Sequence, residues 1–176
     1  YHTFFFDMAT NEPLRGETHQ GFSDDSSWAR GQSWAVYGLA LCYHYTHEEA
    51  ILPLFERVTK YFIDHLPEDY VPYWDLIFSD GSCEPRDTSA AAIAACGILE
   101  MEKYYHNQEF LDIAKKMMSS LSEKYTTVDY LQSNGIIKDG MYSRKHGHKS
   151  ECTSWGDYFY LEALMRMKKS DWKIYW

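Results

Sequence analysis

In the stretch Ser26-Ser27-Trp28-Ala29-Arg30-Gly31-Gln32-Ser33-Trp34 a polar loop turns into a helix that begins with a cation between two indoles. Ser26 or Ser27 is placed to cap that helix by accepting a bond from a free first-turn N–H. Arg30 then falls in the first turn, beside the positive end of the helix dipole. Both features favour an anion. Arg30 and Trp34 are four residues apart and so share a helix face. A guanidinium there can hold both oxygens of a carboxylate, at about 1.5–3 kcal/mol for a hydrogen bond to a charged group. An indole beside it can cover the apolar face of a pyranose ring. The pair predicts one wall of a site for a sugar acid. A competing reading makes Trp28 and Trp34 core residues and pairs Arg30 with a structural aspartate.

The elements that must position this stretch follow from hydropathy. Residues 1–6 read as a β-strand, and Asn11-Glu12-Pro13 as a turn into a short return strand near Leu14. A first helix over about residues 27–45 is uncharged between Ser33 and Tyr43, which predicts burial on both sides. The next, over about residues 51–66, is one-sided: Ile51, Leu54, Phe55, Val58, Phe62 and Leu66 form a stripe, and Pro67 ends it. The unit then repeats. Asp87 or Thr88 can cap a helix to about residue 105, whose Ala90-Ala91-Ala92-Ile93-Ala94-Ala95-Cys96-Gly97 lets a neighbour approach closely. Its partner, over about residues 108–125, carries Phe110, Leu111, Ala114, Met117, Met118 and Leu121 along one stripe. A third unit begins at Ser154, and Gly38 and Gly97 mark the spacing.

Buried helix, loop, amphipathic helix, repeated, is the pattern of a two-layer α/α toroid with a packed inner ring and an outer ring wet on one side. Two and a half hairpins do not close such a ring. Five Leu-sized side chains left without partners on its open edges would forfeit roughly 7–15 kcal/mol, comparable with a domain's net stability. The rest of the ring is expected from elsewhere, and a chain that opens on Tyr1 without Met reads as a piece of a longer polypeptide.

The 176 residues fit one domain, and 15 Tyr, 6 Trp and 9 Phe suit either carbohydrate binding or a large helical core. With 17 basic residues against 26 acidic and a formal charge of −9, a general nucleic-acid surface is excluded, so an anionic substrate needs a local cationic site. Cys42, Cys83, Cys96 and Cys152 form no CxxC pair; free buried thiols in a reducing, cytoplasmic compartment are expected. The uncharged helical stretch near residues 32–43 is too short to span a bilayer, so no membrane partner is expected. His146 and His148 have only Glu151 as a nearby acidic neighbour, which is no full ligand set, so no metal is expected. No Gly-rich phosphate cradle or Ser-His-Asp order stands out, and no cofactor is implied.

The motifs SWARGQSW, RDTSAAAIAACG and WGDYFYLEALMR, with THQG and the opening YHTF, resemble the unsaturated glucuronyl hydrolase family of bacterial glycoside hydrolases over nearly the whole chain. The resemblance implies an (α/α) barrel of six helical hairpins, of which residues 1–176 would be the C-terminal half, with a short N-terminal β-hairpin. It implies a substrate ending in a Δ4,5-unsaturated uronic acid, as in disaccharides cut from glycosaminoglycans. In the family an aspartic acid protonates C4 of the vinyl ether, water adds at C5, and the hemiketal opens. By resemblance Gln20, Arg30 and Trp34 contact the uronate and the adjoining sugar, His2 is an active-site histidine, and Tyr142 lines the cleft; Trp28 is a plausible addition. Members that accept sulfated disaccharides resemble one another in carrying an Arg before the matching Gln and a Ser-x-x-Ser-x-Lys run. Here those positions read His19, Ser143, His146 and His148, with Lys149 one step on, which implies a weaker sulfate preference.

The family's two catalytic aspartates lie upstream of any segment this chain matches, so the catalytic residues are expected in an N-terminal half of the same enzyme, and this half alone is expected to be inactive. Asp87, at a helix cap, and Asp157, in a first turn, read as structural; Asp24, Asp25 and Asp75 are loop carboxylates that the cleft could include. Two alternatives stand beside this reading. One is the unsaturated rhamnogalacturonyl hydrolase family, whose motif usually has Asn where this chain has Gln32; the other is a non-catalytic uronate-binding helical module.

Overall fold

The computed structural model describes residues 1–169 and 171–174. Two strands, β1 (Thr3–Phe6) and β2 (Pro13–Glu17), pair antiparallel with Thr3 opposite Glu17. Five helices follow: α1 (Ala29–Thr46), α2 (Ile51–Asp64), α3 (Thr88–Met101), α4 (Gln108–Lys124) and α5 (Ser154–Lys168), with a 3-10 turn at Arg144–His146. They form two layers. In one, α3 lies between α1 and α5; in the other, α2 packs on α1 and α4 on α3. This is the alternation predicted from hydropathy. The one-sided helices bury Phe55 and Phe62 of α2, and Phe110, Ala114, Met117, Met118 and Leu121 of α4, while their charged faces meet solvent.

The small residues of α3 decide how closely the layer packs. Every residue from Thr88 to Ile98 is buried, and a Cβ built on Gly97 would stand 2.7 Å from the Tyr37 Cα of α1. Over that thin helix α1 and α5 reach each other. Trp34 and Tyr37 both pack edge-on against Phe159, with ring centroids 5.2 and 5.4 Å apart. Tyr37 Oη donates to Glu162 Oε1 at 2.9 Å, Arg166 Nε donates to the same oxygen at 2.8 Å, and Arg166 Nη1 donates to Glu100. A buried cation and two carboxylates thus tie α1, α3 and α5 toward their C-terminal ends.

Three sequence expectations are corrected. Neither Ser26 nor Ser27 caps α1: its N-cap is Trp28 without a side-chain bond, because Ser26 Oγ is drawn to Asp75 at 2.8 Å and Ser27 Oγ to Gln32 at 3.4 Å. The first helix is not buried all round: Trp34, Cys42 and Tyr45, at helical spacing on one face, are exposed, as are Tyr158, Leu161, Leu164 and Met167 of α5. Both faces therefore meet solvent over part of their length. For the same reason Cys42 is exposed, as is Cys83 in its loop; only Cys96 is fully buried.

Substituting Gly97→Ala should lower stability by about 1–3 kcal/mol, because the contact it creates is with rigid backbone. Gly38→Ala, on the open face of α1 with nothing within 4 Å of its Cβ, should not. Paired denaturant unfolding curves check this, and equal effects at the two positions would contradict the close α1–α3 approach.

Candidate functional site

Five segments converge at the N-terminal ends of α1, α3 and α5. The β-hairpin brings Tyr1 and His2, the loop before α1 brings Thr18 to Trp28, α1 brings Arg30, α3 brings Asp87 and Ser89, and the loop before α5 brings Met141 to His148. Arg30 is the common point. Its side chain is 3% exposed and lies between two indoles, 4.7 Å from the Trp28 ring and 5.2 Å from Trp155. Nη1 donates to Asp87 Oδ2 at 3.1 Å and to the Met141 carbonyl at 2.8 Å, and Nη2 donates to the Tyr142 carbonyl at 2.6 Å. Of the five guanidinium hydrogens, these bonds leave the Nε–H and the second Nη2–H. That is the side-on edge of the fork.

Asp87 is buried at the N-cap of α3. Besides Arg30, its carboxylate accepts from Ser89 Oγ at 2.5 Å and the Met141 N–H at 3.3 Å, and Ser89 Oγ accepts from Trp155 Nε1 at 3.2 Å. A closed circuit Arg30–Asp87–Ser89–Trp155 surrounds the cation. Burial pushes the Asp87 carboxyl up and the Arg30 guanidinium down from their ordinary values, and their mutual attraction opposes both shifts. The pairing of Arg30 with a structural aspartate, the competing reading from sequence, is thus present: Nη1 and one Nη2–H are engaged, and no hydrogen-bond acceptor for the Nε–H is found among the described residues.

Gln20 Nε2 donates to the same Tyr142 carbonyl at 2.8 Å. Its backbone N–H lies 3.4 Å from His2 Nε2, and His2 Nδ1 lies 3.4 Å from Thr18 Oγ1. An amide can only donate, so Nε2 accepts and a neutral His2 carries its proton on Nδ1. The His2 ring stacks at 4.9 Å on Trp28, and partial burial, then the positive charge at the N-terminus of Tyr1, then His19 and Lys145 hold its pKa below the ordinary value. A polar recess of about 160 Å³ opens here, lined by Tyr1, His2, Thr18, Ser26, Ser27, Trp28, Gly31 and Gln32. No carboxylate is among those lining residues.

The structure therefore gathers His2, Gln20, Trp28, Arg30 and the backbone of Tyr142. Trp34 stands apart from this group, 37% exposed against Phe159, so the shared helix face does not bring it to Arg30's own surroundings. The Tyr142 ring is exposed, with His148 at 4.8 Å and Trp155 at 6.0 Å. On the sulfate side, His19 and His146 stack at 4.6 Å, but Ser143 is buried and its hydroxyl meets His146 Nδ1 at 2.6 Å. The carboxylates weighed as structural are engaged: Asp157 Oδ1 accepts from the Ile136 and Ile137 amides, both at 3.0 Å. Asp75, read as a loop group that the cleft could include, is instead fully buried, accepting from the Phe22 N–H at 2.9 Å and from Ser26. No group of three His, Cys, Asp or Glu placed to hold a metal occurs among the described residues. Trp155 and Thr18 were missed from sequence. Trp155 had one signal: like Trp28, it is a tryptophan at the start of a helix.

Comparison with known proteins places the chain in a family. The model of Glycosyl Hydrolase Family 88 matches residues 1–170. The chain is 47% identical over 182 residues to the unsaturated chondroitin disaccharide hydrolase of Streptococcus agalactiae serotype III (strain NEM316), covering 100% of this chain and 46% of that protein. It is 40% identical over 175 residues to the unsaturated glucuronyl hydrolase of Bacillus sp. (strain GL1), covering 96% and 46%. The crystal structure of the unsaturated glucuronyl hydrolase from Streptococcus agalactiae superposes with a TM-score of 0.92 at 47% identity, over 100% of this chain and 46% of that one. The chain spans about half the length of the curated relatives it matches. The fold of these neighbours is an α/α barrel, the architecture to which the two helical layers belong.

The buried pair yields a stability prediction. Arg30→Met should cost about 3–5 kcal/mol, because it leaves Asp87 buried and uncompensated. Arg30→Met with Asp87→Leu should recover much of that loss, since apolar residues replacing both partners of a buried pair are often neutral. Denaturant unfolding of the single and double variants checks this, and additive losses would contradict the coupling.

Proposed function

Because this chain belongs to Glycosyl Hydrolase Family 88, we propose that it is the C-terminal half of a single (α/α) toroid catalytic domain, acting as an unsaturated glucuronyl hydrolase on glycosaminoglycan disaccharides. The observation that carries the proposal is that Gln20 and Arg30 both donate to the Tyr142 carbonyl, with His2 bonded to the Gln20 amide and stacked on Trp28 at a recess whose lining has no carboxylate. The side-on edge of Arg30 is the local cation that a uronate needs in a chain of net charge −9. Trp28 supplies an aromatic face for the sugar ring, and neutral His2 and the Gln20 amide supply acceptor and donor for ring hydroxyls. Trp34 and Tyr142, exposed at the edges, contact the adjoining sugar.

The chemistry is hydration of the vinyl ether: an aspartic acid protonates C4, water adds at C5, and the resulting hemiketal opens to release the leaving sugar. This chain positions the uronate and the N-terminal half of the enzyme supplies the acid. Asp75, Asp87 and Asp157 are each held by two or more hydrogen bonds from other groups, so none is free to move a proton to substrate. The exposed apolar faces of α1 and α5 are where that half would pack. We further assign a cytoplasmic location, since the four cysteines are all free, and a weaker sulfate preference, since imidazoles replace the lysine clamp and Ser143 is turned inward.

The test follows loss of the C4=C5 absorbance with unsaturated chondroitin disaccharides, unsulfated and 6-sulfated. The complete protein should turn them over, with the unsulfated one at least as good a substrate, and this chain alone should be slower by about 10²- to 10⁴-fold, the usual share of a general acid. Turnover by the chain alone at the complete protein's rate would refute the division of labour, and a 6-sulfated optimum would refute the sulfate assignment.

A further inference from the structure

Thr18 is buried where the β-hairpin passes into the loop before α1, and each of its polar groups is engaged. Its N–H donates to Asp24 Oδ1 at 2.7 Å, its carbonyl accepts from Lys145 Nζ at 3.2 Å, and its Oγ1 accepts from the Gly21 N–H at 2.9 Å. The last bond needs a glycine: a Cβ built on Gly21 would stand 2.5 Å from that oxygen. These bonds, from the loops before α1 and α5, fix Oγ1 on the wall of the recess, 3.4 Å from His2 Nδ1.

A hydroxyl has two lone pairs and one hydrogen. Gly21 takes one lone pair, and what the oxygen then offers His2 decides where the imidazole proton sits. If the hydroxyl donated to Nδ1, a neutral ring would carry its proton on Nε2, where it would face the Gln20 N–H, hydrogen against hydrogen. If the second lone pair accepts from Nδ1–H, Nε2 keeps a lone pair and the Gln20 amide donates to it. Only the second arrangement satisfies both contacts. The bond made by one ring nitrogen thus sets the state of the other. The neutral ring is the relevant form, since burial first, and then the positive charges around it, hold the His2 pKa below its ordinary value.

The Gln20 contact, at 3.4 Å, is longer than the usual range of about 2.7–3.2 Å for an N–H donor to oxygen. A better donor can therefore take the Nε2 lone pair. On the reading that the recess holds the unsaturated uronate, that donor is a hydroxyl of the sugar ring. We propose that Thr18 is a positioning residue for substrate binding: its hydroxyl holds the His2 proton on Nδ1 and so presents Nε2 as an acceptor to a hydroxyl of the bound uronate.

The test reads tautomer and binding separately, in the complete protein. A long-range proton–nitrogen correlation spectrum of the histidine rings, with the His2 signals assigned through a His2→Gln variant, should show His2 protonated on Nδ1 in the wild type and on a mixture of the two nitrogens in Thr18→Val. With an unsaturated chondroitin disaccharide, Thr18→Val should raise KM about fivefold, the worth of one neutral hydrogen bond, at nearly unchanged kcat. Thr18→Ser, which keeps the oxygen, should restore both readouts. A wild-type His2 protonated on Nε2 would overturn the proposal without any variant, so poor folding of Thr18→Val leaves it falsifiable. Equal KM losses in Thr18→Val and Thr18→Ser would overturn it too, reducing Thr18 to a support of the loops. A tautomer that shifts in Thr18→Val with KM unmoved would uphold the hold of Thr18 on the ring and refute instead the reading that His2 meets the sugar.

Discussion

A single buried cation holds this structure's working end together. Arg30 sits between two indoles and bonds to Asp87 and to the Met141 and Tyr142 carbonyls, so one side chain joins the start of α1, the start of α3 and the long loop before α5. Such a pair is costly to desolvate, several kcal/mol per ion, and stable only when its remaining hydrogen-bonding groups are met. Here two backbone carbonyls take two of Arg30's remaining N–H groups, and Ser89 and the Met141 amide donate to Asp87. The loop carrying Tyr142, Ser143 and His146 has little apolar anchoring of its own beyond Met141. Its position follows from the clamp.

The clamp in turn depends on how thin α3 is. Were α3 built of larger side chains, α1 and α5 would stand further apart and Trp155 could not reach the guanidinium that α1 presents. The Arg166 cluster at the opposite end plays the corresponding part, pinning Tyr37, Glu100 and Glu162. With both ends of α5 tied to a cation, the surface between them is free to be apolar, and it is left exposed at Tyr158, Leu161, Leu164 and Met167. The helical layer is thus tied at both ends and apolar along one flank.

Much of this was legible in the sequence because hydropathy period and burial are directly linked. The all-buried run from Ala90 to Gly97 and the one-sided stripes of α2 and α4 predicted their layers. Arg30 was found because a cation among indoles at a helix start is chemically unusual. What spacing could not reveal is which partner each polar group chooses across the fold. Ser26 had two plausible acceptor or donor roles and took Asp75, 49 residues away. Asp75 looked like a loop group and is buried because Phe22 and Ser26 need it. Trp155 joined the site through α5, a contact no local pattern encodes, and Cys42 is exposed because it lies on the solvent-facing side of α1.

The most direct test of the clamp is the KM of the complete protein for an unsaturated disaccharide after Asp87→Asn, measured at a temperature where circular dichroism shows the variant folded. Asn keeps the shape of the aspartate but removes the charge that orients Arg30. If the pair holds the uronate edge of Arg30 and the Tyr142 loop in place, KM rises by about tenfold or more, equivalent to 1.4 kcal/mol. A folded variant with wild-type KM would contradict it and reduce the Arg30–Asp87 pair to a support of the fold alone.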